Sequence, residues 1–265
     1  MDTLFGLFDT HAHLNDPRFD GDRQAVLEDM QRLGMFNICV GADMESSRTG
    51  IELAGQWDNL YAAVGVHPHD AKSFEADSDL PQLEKWLRLP KVVALGEIGL
   101  DYYYDLSPRD VQQTVFQMQL DLAGTLGVPV ILHIRDAHGD AIKMMQAMGS
   151  NLPRCIVHCS SASWESTRIY LGMGCMISYA GPVTFKNAAR LLEAARQVPP
   201  DCLLIETDSP YLALEPVRGR RNDPRNVAYI CRRLAEIRGT TPEELCTLTR
   251  ENAMRFFGIS QERND

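Results

Sequence analysis

PVILHIRDAHGDAIKMMQAMGSNLPRCIVHC, residues 129–159, joins two short apolar runs through a helix-patterned stretch. PVILHI (129–134) and CIVHC (155–159) are rich in β-branched or bulky apolar residues and hardly alternate with polar ones. That is how parallel strands buried on both faces read. AHGDAIKMMQAMG between them supplies the crossover helix that parallel pairing requires. Each strand ends near a histidine, His133 and His158.

The same unit recurs along the chain. Further apolar runs are LFGLFD (4–9), FNICVGA (36–42), YAAVGV (61–66), VVALGE (92–97), CMISYA (175–180) and CLLIETD (202–208). Helical stretches separate them, and two more helices follow the last run, NVAYICRRLAEIRG and TPEELCTLTRENAMRFFG. Ser107 and Asp110 read as a capping box with Pro108 at the first helical position, and Gly127 as the end of that helix. Thr241, Pro242 and Glu244 give a second helix start. Eight strand–helix alternations predict an α/β protein, a (β/α)8 TIM barrel, as a single domain over 1–265. No Gly/Ser/Pro-rich linker or low-complexity segment interrupts the pattern. The runner-up is an open doubly wound sheet, with its site at one switch point.

Bulk composition narrows the function classes. The chain has 265 residues, 45% hydrophobic and 23% charged, as in ordinary globular proteins. Its net charge of −10 argues against a broad basic surface for non-specific nucleic-acid binding. It leaves room for a local grip on phosphate. Seven scattered cysteines without a CxxC pair point to free thiols in a reducing cytoplasm. No apolar run approaches the roughly 20 residues of a membrane span, and the N-terminus lacks a signal-peptide pattern. No membrane association and no obligate protein partner are expected.

Chemistry collects where the strands end. Strand one runs into His11 and His13, strand three into His67 and His69, and strand four into Glu97. Strand five ends at His133, strand six at His158 and strand eight at Asp208. In a barrel these ends share one mouth, where active sites form. Residues two apart in a strand face the same way, so His11 and His13 can chelate one ion together. By that parity Leu95, Ile131 and Ile156 lie beneath Glu97, His133 and His158. Asp9 and Glu206 would lie beneath His11 and Asp208, placed to orient the ligands.

HxH alone is a weak signal, and a lone histidine in an apolar strand is more often a hydrogen-bonded core residue. Six such residues in one buried layer, each satisfied separately, would be costly. Four imidazoles and two carboxylates exceed the needs of one ion. The partition puts His11, His13 and Asp208 on one metal and His133 and His158 on another, with Glu97 bridging. Two ions about 3.5–4 Å apart can activate water and clamp a phosphoryl group.

The sequence resembles the TatD family of metal-dependent deoxyribonucleases, among the amidohydrolase-like barrels. FDTHAHL (8–14), VGVHPHD (64–70), ALGEIGLDYYY (94–104), PVILHIRDA (129–137), VHC (157–159), LLIETDSPYL (203–212) and RRNDP (220–224) carry the resemblance, in order, over nearly the whole chain. It implies a barrel nuclease with two divalent ions held by His11, His13, Glu97, His133, His158 and Asp208. Many related amidohydrolases bridge their metals with a carboxylated lysine after strand four; here Glu97 offers a carboxylate directly. The resemblance implies Mg²⁺, whereas four imidazoles suit Zn²⁺ or Mn²⁺ better.

The reaction expected is hydrolysis of a phosphodiester by an exonuclease-type enzyme, with Glu97 and Asp208 as catalytic residues and Asp208 accepting the proton of the attacking water. Leaving-group protonation falls to His67 or to water. Substrate contacts are assigned to His67, His69, Arg135, Lys186, Arg220 and Arg221, the last two within EPVRGRRNDPR (215–225) after strand eight. Tyr102, Tyr103, Tyr104 and Phe185 are candidates for stacking exposed bases. A deep mouth favours single-stranded DNA or a strand end as substrate. The alternatives are a metal-dependent amidase or esterase acting on a small molecule or an aminoacyl-nucleic acid ester, and a non-catalytic barrel that binds metal or a partner.

Overall fold

A computed structural model describes residues 3–185 and 187–260. Eight strands form one sheet in sequential order, every neighbouring pair parallel. They are β1 (Phe8–Ala12), β2 (Phe36–Val40), β3 (Leu60–Val64), β4 (Val92–Asp101), β5 (Val130–Arg135), β6 (Cys155–Val157), β7 (Met176–Tyr179) and β8 (Leu203–Ile205). A parallel bridge between Ala12 and Ser209 brings the β1 end to the chain leaving β8. His13 N donates to Ser209 O, and Asp208 N donates to His11 O. The sheet thus curls into the expected barrel rather than an open sheet.

Helices α1 (Arg23–Arg32), α2 (Met44–Ala54), α3 (Ala76–Trp86), α4 (Arg109–Leu126), α5 (His138–Ala147), α6 (Trp164–Gly172) and α7 (Ala189–Gln197) fill the crossovers. Two helices follow β8: α8 (Val227–Arg238) and α9 (Pro242–Phe257). The α9 capping box forms as predicted between Thr241 and Glu244. Gly127 ends α4 in the left-handed region, φ 67°, a conformation glycine adopts without a Cβ penalty. The Ser107 capping box does not form. Helix α4 starts at Arg109 with Pro108 as its cap, while Ser107 Oγ donates to His69 O and accepts from Lys72 N. The serine ties two mouth loops together instead.

The core divides into two layers. Leu95, Leu132, Cys155, Val157, Leu203 and Ile205 face outward under the helices. Phe8, Ile38, Ala63, Ala94, Ile131, Ile156 and Leu204 fill the barrel interior with Ala253, Met254, Phe256 and Phe257 of α9. The Phe257 ring stacks on Phe8, 6.2 Å between centroids, so α9 plugs the end opposite the strand C-termini.

Ile131 and Ile156 lie beneath their histidines, as parity predicts. Leu95 does not lie beneath Glu97: the β4–β5 register shifts between Leu95 and Ile98, so Ala94 points inward and Leu95 outward. A second shift in β1 between Asp9 and Ala12 has the same effect on Asp9. One extra residue in a strand reverses which face the following side chains take.

Candidate metal centre

Glu97 stands at the middle of the mouth, and its two carboxylate oxygens face different histidines. Oε2 lies 3.4 Å from His11 Nε2 and 3.7 Å from His13 Nε2. Oε1 lies 2.7 Å from His133 Nδ1, 3.1 Å from His158 Nε2 and 3.7 Å from His67 Nε2. Asp208 Oδ1 closes the first side, 3.4 Å from His13 Nε2 and 3.8 Å from His11 Nε2. The β4 register shift supplies this placement by turning Glu97 to the axis and letting the strand continue to Asp101. Asp208 lies past the end of β8 with φ 55°, a left-handed backbone that aspartate tolerates better than most residues.

The donor set fits divalent metal. His11 Nε2 and His13 Nε2 approach to 3.2 Å, and the His11 and His158 rings stack at 3.8 Å. His11 Nδ1 is buried without a hydrogen-bond partner. Crowded imidazole nitrogens turned toward shared carboxylate oxygens are what a cation satisfies. Three overlapping groups have ligand atoms within 4.8 Å of one another: His11, His158 and Asp208; His11, His13 and Glu97; and His67, Glu97 and His133.

Electrostatics in the metal-free protein follow from this crowding. Burial pushes the Glu97 carboxyl up, but His158, His11 and His67 outweigh it and hold it well below the ordinary range. Burial lowers His158, yet Glu206 and Glu97 raise it well above an ordinary histidine. His67 goes the other way: burial, reinforced by His133, holds it well below its usual value.

Each proposed supporting residue has a partner. Glu206 Oε1 lies 2.9 Å from His158 Nδ1, the arrangement that fixes a ligand's ring. Asp9 touches no imidazole. It accepts from Thr207 N at 2.8 Å, Thr207 Oγ1 at 2.6 Å and His11 N at 3.3 Å, so it holds the loop that carries Asp208. Asp101 escaped the sequence reading. Its Oδ2 lies 3.0 Å from His133 Nε2 and 2.9 Å from His69 Nε2. Period-two spacing from Glu97 was the available signal, hidden by ending the strand at Glu97.

The proposed substrate contacts separate. His67 and His69 sit at the centre's edge, and His69 N donates to His67 Nδ1 at 3.1 Å. Arg135 ends β5 and packs over Tyr103 and Tyr104. Arg220 is exposed. Arg221 is engaged with Asp22 through two bonds of 2.6 and 2.7 Å, which anchors its loop. Lys186 lies outside the described residues.

A hydrolase barrel with a histidine–carboxylate metal centre is the class this fold and cluster define. A family model described as TatD related DNase matches residues 8–258, and the chain belongs to the TatD family of metal-dependent hydrolases. It is 41% identical over 255 residues to a Bacillus subtilis protein named "Uncharacterized metal-dependent hydrolase YabD", covering 96% of this chain and 100% of the relative. It is 33% identical over 268 residues to a Rahnella protein named "3'-5' ssDNA/RNA exonuclease TatD", covering 97% and 100%. The crystal structure of the TatD homolog YjjV from Escherichia coli K12 superposes with TM-score 0.89 at 32% identity, covering 98% of this chain and 100% of that one. No helix among the described residues is long and apolar enough to cross a membrane.

Proposed function

We propose that this hydrolase is a nuclease that removes nucleotides from the end of single-stranded DNA or RNA, using two divalent ions. The observation that carries the reading is the split of Glu97, with Oε2 toward His11 and His13 and Oε1 toward His133 and His158. A carboxylate shared in this way would bridge two ions. His11, His13 and Asp208 would hold one and His133 and His158 the other. Bound divalent ions supply Lewis acidity toward a phosphoryl group and acidify water. The exonuclease name of the Rahnella relative supports nucleic acid as substrate. Free, mostly buried cysteines suit a cytoplasmic setting.

The chain's own residues steer the protons. Asp208, at the open side of the cluster, accepts the proton of the attacking water. The leaving oxygen takes its proton from water, while His67 donates a hydrogen bond to it. His67 Nδ1 already accepts the His69 amide, so the neutral ring keeps its proton on Nε2, the atom facing the centre. Metal identity follows the donor set, with Mn²⁺ or Zn²⁺ favoured over Mg²⁺.

The test is a panel of single-stranded DNA, RNA, duplex DNA and carbonyl esters, each with Mg²⁺, Mn²⁺, Zn²⁺ or chelator. Metal-dependent release of mononucleotides from single strands is expected. Turnover of esters alone would make the enzyme an esterase. Glu97→Gln keeps the shape but removes the bridging charge. It should bind fewer ions per chain and lose at least about a hundredfold in turnover; parent-like stoichiometry would end the bridging scheme.

A further inference from the structure

Exposed tyrosines flank Glu97 on both sides, each backed by an arginine. On the Oε2 side the Tyr211 ring lies 5.5 Å from the His13 ring at 84°. Arg18 covers Tyr211 at 4.1 Å, and Asp16 binds the Arg18 guanidinium at 2.9 and 2.7 Å. The Tyr211 hydroxyl donates to the same Asp16 at 3.4 Å. On the other side the Tyr104 ring lies 5.5 Å from the His69 ring at 87°. Arg135 packs 4.1 Å from the Tyr103 ring and 4.7 Å from the Tyr104 ring. The amides of Tyr103 and Tyr104 donate to Asp101 Oδ1 at 3.0 and 2.9 Å. This second platform therefore hangs on the carboxylate that also contacts His133.

These rings are held in place yet left open. Tyr103, Tyr104 and Tyr211 are 59%, 53% and 46% exposed. Large apolar rings kept at a surface and fixed by cation–π contacts cost little further ordering when a flat ligand stacks on them. Every nucleobase has such a face. Among the described residues no carboxylate lies within ion-pairing distance of Arg135, whereas Arg18 and Arg221 are paired. An unpaired guanidinium beside an aromatic platform and a metal centre is suited to phosphate.

We propose that the two platforms are base-stacking subsites, one for the nucleotide on each side of the scissile phosphate. Tyr211 backed by Arg18 takes one base. Tyr104, with Tyr103 and Arg135, takes the other, and Arg135 contacts the backbone between base and metals. The smallest efficient substrate is then a pair of nucleotides with both bases present. The inference rests on the nuclease reading and specifies how that site recognises its substrate.

The test uses short single strands that are unmodified, or abasic at the terminal nucleotide, or abasic at the one before it, with kcat/KM measured in the activating metal. The parent enzyme should lose about tenfold for each missing base, the size of one base–aromatic stack. Tyr104→Leu and Tyr211→Leu should each lose about as much on the unmodified strand. Each should show no further loss when the base it stacks is absent, and the two should answer to different positions. Tyr104→Phe and Tyr211→Phe keep the ring and should retain parent-like rates. Equal losses by both leucine variants on every strand, or a parent indifferent to missing bases, would overturn the subsites while leaving the nuclease standing. A parent that releases nucleotides from none of the strands would overturn both.

Discussion

His133 Nε2 lies 3.0 Å from Asp101 Oδ2, while the same ring's Nδ1 lies 2.7 Å from Glu97 Oε1. Two carboxylates of one strand thus grip one imidazole from both ends. Burial pushes Asp101 up, but bonds with His133 and His69 hold its carboxyl below the ordinary range. Asp101→Asn keeps the shape and removes the charge. It is expected to weaken metal binding by about 10–100-fold while leaving the fold intact. Metal titration alongside circular dichroism checks this, and parent-like affinity would show that Asp101 does not orient the ligand.

Metal and protons compete for the same nitrogens. Folding raises His158 well above its ordinary 6.5. In the metal-free protein its ion pairs with Glu206 and Glu97 therefore stabilise fully below that unfolded value. That stabilisation fades as pH rises through the folded value. Metal requires the neutral ring, so apparent metal affinity should climb over the same range. Metal at a thousand times its Kd should add about 4 kcal/mol of stability. Melting curves with metal or chelator across pH 6 to 9 should diverge with increasing pH; parallel curves would contradict the proton competition.

His67 is tested by the leaving group. A positioned hydrogen-bond donor is worth about 10²–10³-fold where negative charge builds on the leaving oxygen. His67→Leu should lose that much kcat on a dinucleotide and little on a nitrophenyl phosphodiester, whose leaving oxygen spreads its charge into the ring. Equal losses on both would assign His67 to positioning.

Gly99 lies in β4 between Glu97 and Asp101 with φ 148°, and a Cβ there would overlap the carbonyl oxygen of His133. Neither strand can yield without moving a member of the cluster. Gly99→Ala should cost about 3 kcal/mol or more through strain and overlap, read as a lower denaturation midpoint, and should impair metal binding. A variant as stable as the parent would mean that β4 and β5 separate more readily than their packing implies.

Strand order was legible because buried parallel strands are continuously apolar, so a polar residue at a strand end stands out. His11, His13, Glu97, His133, His158 and Asp208 announced themselves this way, and the structure gathers all of them around one mouth. Face assignments were legible only where strands are regular. Ile131 and Ile156 followed parity, while Leu95 and Asp9 did not, because a register shift depends on neighbouring strands. Asp101 was hidden because the strand was read as ending at Glu97, whereas β4 runs on to Asp101. The partner of Arg221 is Asp22, roughly two hundred residues away in sequence. Pairing at that range is set by the closed barrel and leaves no local trace.

The stopper that α9 makes with Phe257 against Phe8 turns the barrel into a cul-de-sac. Whatever enters to be cut has to back out through the same doorway, past the chain still waiting there. On the nuclease reading, departure of each severed unit and advance of the remaining strand then share that one opening.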